Sequence, residues 1–275
     1  MIHPTAIVHA KARLDATVIV APYAVIDEHV VLGANCRIGP HAHLTGHTTI
    51  GAGNSFHAGC VIGDAPQDLR YKGEPTRVRI GDNNTFREHV TVHRSTAEPG
   101  DTVVGSHNYL MAHSHVGHNA HVGDYVIMAN GSMLGGYAVV QDRAFISGNC
   151  CVHQFVRIGT LSLMQGGTVA TQDLPPYCVA HHVNVLCGLN SVGMRRAGIS
   201  GEQRLELKRL YRALFRSGEK LSVALAAARN EFKGDCARVL LEFMAASKRG
   251  FCTGKGRGAE EETESEADDQ RVTEA

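Results

Sequence analysis

The chain has no tryptophan, and aromatic residues make up only 5% of its 275 positions. That scarcity excludes a core built on large rings and predicts one of small and β-branched side chains. Proline is sparse, at 8 residues. No apolar run reaches the length of about 18 residues that a membrane span needs, so none is predicted. Met1-Ile2-His3-Pro4 lacks the basic stretch and apolar segment of a signal peptide. Neither sign of charge dominates: 27 Lys and Arg balance 27 Asp and Glu. That balance argues against a protein that holds nucleic acid through bulk charge. No CxxC pair joins any of Cys36, Cys60, Cys150, Cys151, Cys178, Cys187, Cys236 and Cys252. Scattered so, they read as reduced, small hydrophobes in a cytoplasmic protein.

What the sequence does have is glycine, at 30, histidine, at 17, and a repeat. Every sixth residue from Ile2 is apolar: Ile2, Val8, Leu14, Val20, Ile26, Leu32, Ile38, Leu44, Ile50, Phe56 and Ile62. The register breaks, resumes at Ile80, Phe86 and Val92, breaks again, and runs from Val104 to Met164. Glycine often follows the apolar residue, as at Gly33, Gly51, Gly81, Gly105 and Gly123. The position two before it is usually small, as at Ala24, Cys36, Ala42 and Cys60. A period of six fits neither a 3.6-residue helix nor an alternating strand. It fits short flat strands joined by tight turns, three to a coil, with apolar residues stacked inside a triangular solenoid. About eight such coils at roughly 4.8 Å each give a prism on the order of 40 Å long.

The breaks, at 64–79 and 94–103, read as polar insertions between coils, and a solenoid that interrupts its own stacking is commonly building a site. Asp173-Leu174-Pro175-Pro176-Tyr177 marks the exit from the repeat. The prism is expected over 1–189 and a small helical domain over 190–252. Ser200-x-x-Gln203 is a capping box, and Leu207, Leu210, Tyr211, Leu214 and Phe215 follow helical spacing. Cys236, Val239, Leu240 and Phe243 repeat that spacing. The domain is basic, with Lys208, Arg209, Arg212, Arg216 and Lys220. Residues 253–275, with Glu260-Glu261-Glu262 and Asp268-Asp269, form an acidic tail expected to be disordered.

Met111 to Gly123 holds His113, His115, His118 and His121, with His93 and His153 elsewhere. Val116 and Val122 point inward in the repeat, so the histidines between them belong on the outer surface. Three readings stand open. A neutral imidazole can act as general base on a hydroxyl that attacks an acyl group. Closely spaced imidazoles can hold zinc that activates water, giving a hydratase with His113, His115, His118 and His121 as candidate ligands. The histidines can also be surface residues without chemistry, on a scaffold that keeps its assembly but not its activity.

Ile62 to Val78, including Gln67-Asp68-Leu69-Arg70-Tyr71-Lys72-Gly73-Glu74-Pro75-Thr76, resembles the first insertion of the acyl-carrier-protein:UDP-N-acetylglucosamine O-acyltransferases. So do Thr91-Val92-His93-Arg94, His115-x-x-His118, Val152-His153-Gln154-Phe155 and Gln172 to Tyr177. Gly188-Leu189-Asn190 through Arg195-Arg196-Ala197-Gly198 continues the likeness, which spans about residues 1 to 250. It implies a mainly β fold, a left-handed parallel β-helix with a small C-terminal α-helical domain, assembled as a homotrimer with sites between subunits. The left hand comes from the resemblance alone, since it opposes the usual crossover preference.

The resemblance implies transfer of a 3-hydroxyacyl chain from acyl carrier protein to the 3-hydroxyl of UDP-N-acetylglucosamine, in lipid A biosynthesis. It makes His118 the general base and the Gly136 amide the oxyanion donor. Gln67, Asp68, Arg70, His93, His115, His153, Gln154, Asn190 and Arg196 become substrate contacts, and Gly166 the position that limits acyl length. No metal and no dissociable cofactor are implied, because the donor rides on the carrier's phosphopantetheine. The basic helical face suits the acidic carrier protein. Three positions depart from the family pattern. Asn119 stands where aspartate is common, Tyr137 where histidine is, and Val192 where glutamate is. They motivate an alternative acceptor, a 3-amino UDP-sugar, whose amine tolerates a weaker base.

Overall fold

The computed structural model describes residues 1–97 and 99–253. The acidic tail expected from 253 lies outside the described residues, Thr253 excepted.

Strands of mostly two residues stack into three parallel sheets, one on each face of a prism. Face I runs from Ile7–Val8 to Val169–Ala170 in nine strands, and face II from Arg13–Leu14 to Arg157–Ile158 in eight. Face III starts at Ile19–Val20 and has ten strands, the last, Val185–Leu189, antiparallel to Cys178–His181. Stacked partners are three hexads apart in the chain, as in Ile7↔Val25 and Cys151↔Val169. In nearly every strand the second residue faces inward and the first outward, because successive side chains leave opposite sides of a strand. The inward column is the one read from the sequence: Val20, Ile26, Leu32, Ile38, Leu44 and Ile62 are buried, as are Val104, Leu110, Val116, Val122 and Met128. It runs one strand beyond Met164, to Ala170. At the open N-terminal end the same column is exposed at Ile2 and half-buried at Val8 and Leu14, since no coil lies beneath them.

At most corners between faces the chain turns through a left-handed residue, with φ near +60° at Asn83, His89, His107, His113, Asn119 and Tyr125 among others. Asn, His and aromatic side chains tolerate this region poorly but better than β-branched ones do. Here they gain from stacking on the equivalent turn one coil away. Tyr23 lies on His41, His89 on His113 and His107 on Tyr125, with ring centroids 4.8–5.2 Å apart. Where the interior meets the backbone at Asn54, Asn84 and Asn108, buried amides form a ladder. Asn54 Oδ1 accepts from Asn84 N, Asn84 Oδ1 from Asn108 N, and Asn108 Oδ1 from Val126 N. The ladder pairs every one of these amide oxygens with a backbone N–H, though Asn108 Nδ2 is left buried without a partner among the described residues.

The two insertions leave from one corner, between faces I and II. Strand Val61–Asp64 is followed by Arg77–Ile80, and Thr91–His93 by Asp101–Val104, so the loops themselves are 65–76 and 94–100. Stacked partners there are five and four hexads apart instead of three, as in Val61↔Thr91 and Thr91↔His115.

Four helices close the far end: α1 (Ser191–Arg196), α2 (Gly201–Phe215), α3 (Leu221–Glu231) and α4 (Asp235–Ala245). The Ser200–Gln203 capping box opens α2 as predicted, satisfying two helix N–H groups reciprocally. Leu207, Leu210, Leu214, Leu240 and Leu241 bury the helical core, while Val239 is left exposed. A buried clamp fixes the helices to the last coils. Arg157 donates to Asp173 Oδ2 from Nε (2.9 Å) and Nη2 (2.7 Å), and to the Phe243 carbonyl, over whose ring it lies. Ser247 Oγ donates to the same carboxylate, so a buried charge is both paired and bonded.

Candidate active site

Face I, near the insertion corner, carries a cavity of about 310 Å³. Its floor is His115, Met133 and Cys151, the outward residues of three stacked strands. His118, Gly135 and Gly136 form its corner edge, His93 lies at depth, and Gln67 reaches over from the first insertion.

His118 and Gly136 occupy the same corner position one coil apart, and the contact between them explains the glycine. A Cβ on Gly136 would fall 2.4 Å from Cε1 and 2.5 Å from Nε2 of the His118 ring. Only a glycine lets the imidazole lie over that turn. The Gly136 amide N–H has no acceptor among the described residues, so the ring and an unspent donor lie together at the edge of one cavity.

His118 Nδ1 is 3.0 Å from Asn119 Oδ1. The assignment of that oxygen follows from its other contacts. The Thr96 backbone N–H also points at it (3.0 Å), and an N–H can only donate. Asn119 Oδ1 is therefore an acceptor, the proton of a neutral His118 sits on Nδ1, and Nε2 carries the lone pair. Asn119 does the orienting work without a carboxylate.

The other two cavity histidines are held neutral. Burial, followed by the charges of His93 and His118, pushes His115 down to about 4, and its Nδ1 pairs with Thr91 Oγ1 at 2.7 Å. Burial also lowers His93, which packs edge-on to His115 with centroids 4.8 Å apart. The first insertion is tied down at Arg94. Its Nε donates to the Tyr71 hydroxyl and its Nη1 to the Gly63 carbonyl, while Tyr71 donates to the Glu74 carbonyl. Asp68 accepts both Nε (3.1 Å) and Nη2 (2.7 Å) of Arg70 and the Arg70 amide. Those bonds hold its carboxyl well below the usual range, with His118 a smaller contributor from across the cleft.

The structure thus brings His118, Gly136, His115, His93 and Gln67 around one cavity, with Asp68 and Arg70 on the same loop. His153 and Gln154 continue the corner, Gln154 N lying 2.8 Å from a Cβ built on Gly135. Gly166 is at the opposite edge of face I, where a Cβ would meet only the Gly148 carbonyl at 3.7 Å, three coils or roughly 14 Å along the axis. Asn190 and Arg196 are not brought to this cavity within one chain. Asn190 caps α1 through Gly193 N and donates to the Leu161 carbonyl, at the corner between faces II and III. Arg196 is exposed in the last turn of α1.

The candidate zinc set is dispersed. His113 is stacked on His89 at the corner between faces III and I, His115 and His118 edge the cavity, and His121 faces outward on face II. Among the described residues no three His, Cys, Asp or Glu side chains group as a metal site. Sequence reasoning did not single out Thr96, whose one signal is its place in the second insertion, the loop that opens just after His93.

A prism of hexad coils with an oriented imidazole beside a free amide on its outer face defines a hexapeptide acyltransferase. Comparison with known proteins narrows this. A family model described as bacterial transferase hexapeptide (six repeats) matches residues 29–64 and 101–136, and one described as Udp N-acetylglucosamine O-acyltransferase, domain 2, matches 173–252. The acyl-carrier-protein–UDP-N-acetylglucosamine O-acyltransferase of Janthinobacterium sp. (strain Marseille) is 46% identical over 91% of this chain and 98% of its own. That of Syntrophobacter fumaroxidans is also 46% identical, over 90% and 98%. The solved UDP-N-acetylglucosamine acyltransferase of Francisella novicida superposes with a TM-score of 0.89 at 34% identity, covering 92% of this chain and 94% of that one. The Bacteroides fragilis structure gives 0.88 at 38% identity, covering 91% and 99%. The chain belongs to the family of acyl-carrier-protein:UDP-N-acetylglucosamine O-acyltransferases, and its β-helix is left-handed, as the resemblance implied.

Proposed function

We propose that this protein transfers a 3-hydroxyacyl chain from acyl carrier protein to the 3-hydroxyl of UDP-N-acetylglucosamine, the first step of lipid A biosynthesis. The observation that carries the mechanism is the fixed tautomer of His118 facing the free Gly136 amide. Nε2 takes the proton of the sugar 3-hydroxyl as that oxygen attacks the thioester carbonyl. The Gly136 N–H receives the oxyanion, which as a backbone donor needs no reorganisation. Collapse breaks the C–S bond, and the leaving thiolate recovers the proton from His118. Neutral His93 and His115 leave the new positive charge to His118 without a competing cation beside it.

The acyl chain lies along face I, over Met133 and Cys151 towards Gly166, where a side chain would shorten the groove. Gln67, Asp68, Arg70, His153 and Gln154 line the sugar side. Arg196, exposed on α1, reaches the nucleotide from a neighbouring copy in a homotrimer, with Asn190 holding the start of α1 in place, which accounts for their absence from this chain's own cavity. The thioester arrives already activated on the carrier's phosphopantetheine, so the reaction needs no metal or dissociable cofactor. The basic helices receive the acidic carrier protein. Eight cysteines without disulfides support a cytoplasmic site of action. No helix among the described residues is long and apolar enough to cross a membrane.

The test uses purified protein, UDP-N-acetylglucosamine, its 3-amino analogue and a set of 3-hydroxyacyl carrier proteins, read by mass spectrometry with His118→Ala alongside. An ester product lost in the variant is the expected result. Clear preference for the amino sugar would overturn the hydroxyl acceptor, and unchanged turnover in the variant would overturn the base.

A further inference from the structure

We propose that Thr96, on the second insertion, is a positioning residue that sets the tautomer of His118 through the amide of Asn119; the inference rests on the reading of His118 as the base. An asparagine beside the base has a failure mode that a carboxylate lacks, because its two ends differ. Rotated by half a turn, it presents Nδ2–H to His118 Nδ1. That nitrogen must then accept, the ring proton moves to Nε2, and the atom that has to take the substrate's proton no longer can.

Two donors from Thr96 oppose the rotation. Its backbone N–H and its Oγ1 each lie 3.0 Å from Asn119 Oδ1. The Thr96 hydroxyl is in turn 3.1 Å from the Tyr137 hydroxyl. With Thr96 Oγ1–H donated to Asn119, Tyr137 is the donor to Thr96, so a relay of hydroxyl protons runs from Tyr137 through Thr96 to one amide oxygen. Tyr137 also packs edge-on to the His118 ring, with centroids 5.5 Å apart. The rest of the assembly is pinned. Asn119 N donates to Thr102 Oγ1 (2.7 Å), Thr76 Oγ1 to the Ser95 carbonyl (2.5 Å), and Ser95 Oγ to the Gly100 carbonyl (2.6 Å). The insertion that interrupts the stacking therefore delivers donors to the one corner whose turn residue touches the base. Tyr137 is part of the same device, through its hydroxyl contact with Thr96.

The experiment measures kcat, KM and the pH profile of the intact enzyme for Thr96→Val and Thr96→Ser, alone and with Asn119→Asp, with thermal midpoints as a check on folding. Histidine 15N spectra of the same proteins report the tautomer independently of turnover. Thr96→Val keeps the shape and backbone N–H but removes the hydroxyl. It should lower kcat about tenfold with KM within about twofold, and move His118 towards the Nε2–H form. Thr96→Ser should stay within about twofold of the parent. In the Asn119→Asp background, whose carboxylate has no wrong end, Thr96→Val should change kcat by less than about twofold. Equal losses in both backgrounds, a Ser variant as impaired as Val, or an unmoved tautomer would each overturn the proposal. A parent enzyme that makes no acylated sugar overturns the proposed function instead, and the spectra still decide the role of Thr96.

Discussion

His113 and His118 sit on the same coil, at two corners of one triangle. His113 occupies a left-handed turn and stacks on His89, a repeat of what Tyr23 and His41 do at the same corner lower down. Among the described residues no ring stacks beneath His118. Its next-door turn residue is held by a loop that enters from outside the repeat, and the glycine above leaves it room. The same left-handed turn recurs at most corners, so a histidine on such a turn marks no chemistry by itself. Chemistry appears where an insertion reaches the corner and spends its donors on the neighbour of one imidazole.

Substitutions can break that contrast. His118→Ala should reduce turnover by roughly 10²–10⁴-fold at an unchanged thermal midpoint, since it removes the base alone. Gly136→Ala should cost about 100-fold in kcat, because its Cβ needs the space of the His118 ring and displaces it from the oxyanion donor. Normal activity in the alanine variant would mean that the ring and the amide do not act as a pair.

Acid titration tests the burial of His115 on the cavity floor. In the unfolded chain His115 titrates near 6.5, but in the folded chain only at about 4. As pH falls through that window the unfolded chain takes up a proton that the native one refuses, so stability drops, by up to about 3 kcal/mol; above 6.5 the term vanishes. Urea midpoints against pH should show this limb, and His115→Phe should flatten it. Arg94→Ala frees the first insertion from Tyr71 and should raise the sugar KM about tenfold with kcat nearly unchanged. His113→Ala should leave turnover within about twofold and cost about 1 kcal/mol of stability, through its stacking and its strained turn.

The prism was legible because an inward column has a single environment, and Ile26, Leu44 and Val116 can only satisfy it by being apolar. The insertions were legible as breaks in that column. Spacing ranks His113, His115, His118 and His121 alike, and only the family resemblance singled out His118, Asn119 and Gly136. What distinguishes them is a contact from Thr96, in a loop with no periodicity of its own. Asn190 shows the converse: a polar residue in a family-like segment has its side chain committed to capping α1 and to the Leu161 carbonyl.

The uniform spacing of the coils also bears on how the chain finds its structure. Parallel sheets ordinarily pair segments far apart in sequence and assemble slowly. Here most partners are only three hexads apart, a separation of roughly 0.07 of the chain length, in the range of fast-folding helical bundles. Assembly can start at any coil and spread to its neighbours. The steps that lengthen the closure, to five and four hexads, are the two that bridge the insertions. The seam where propagation must pause is the corner on which His118 stands.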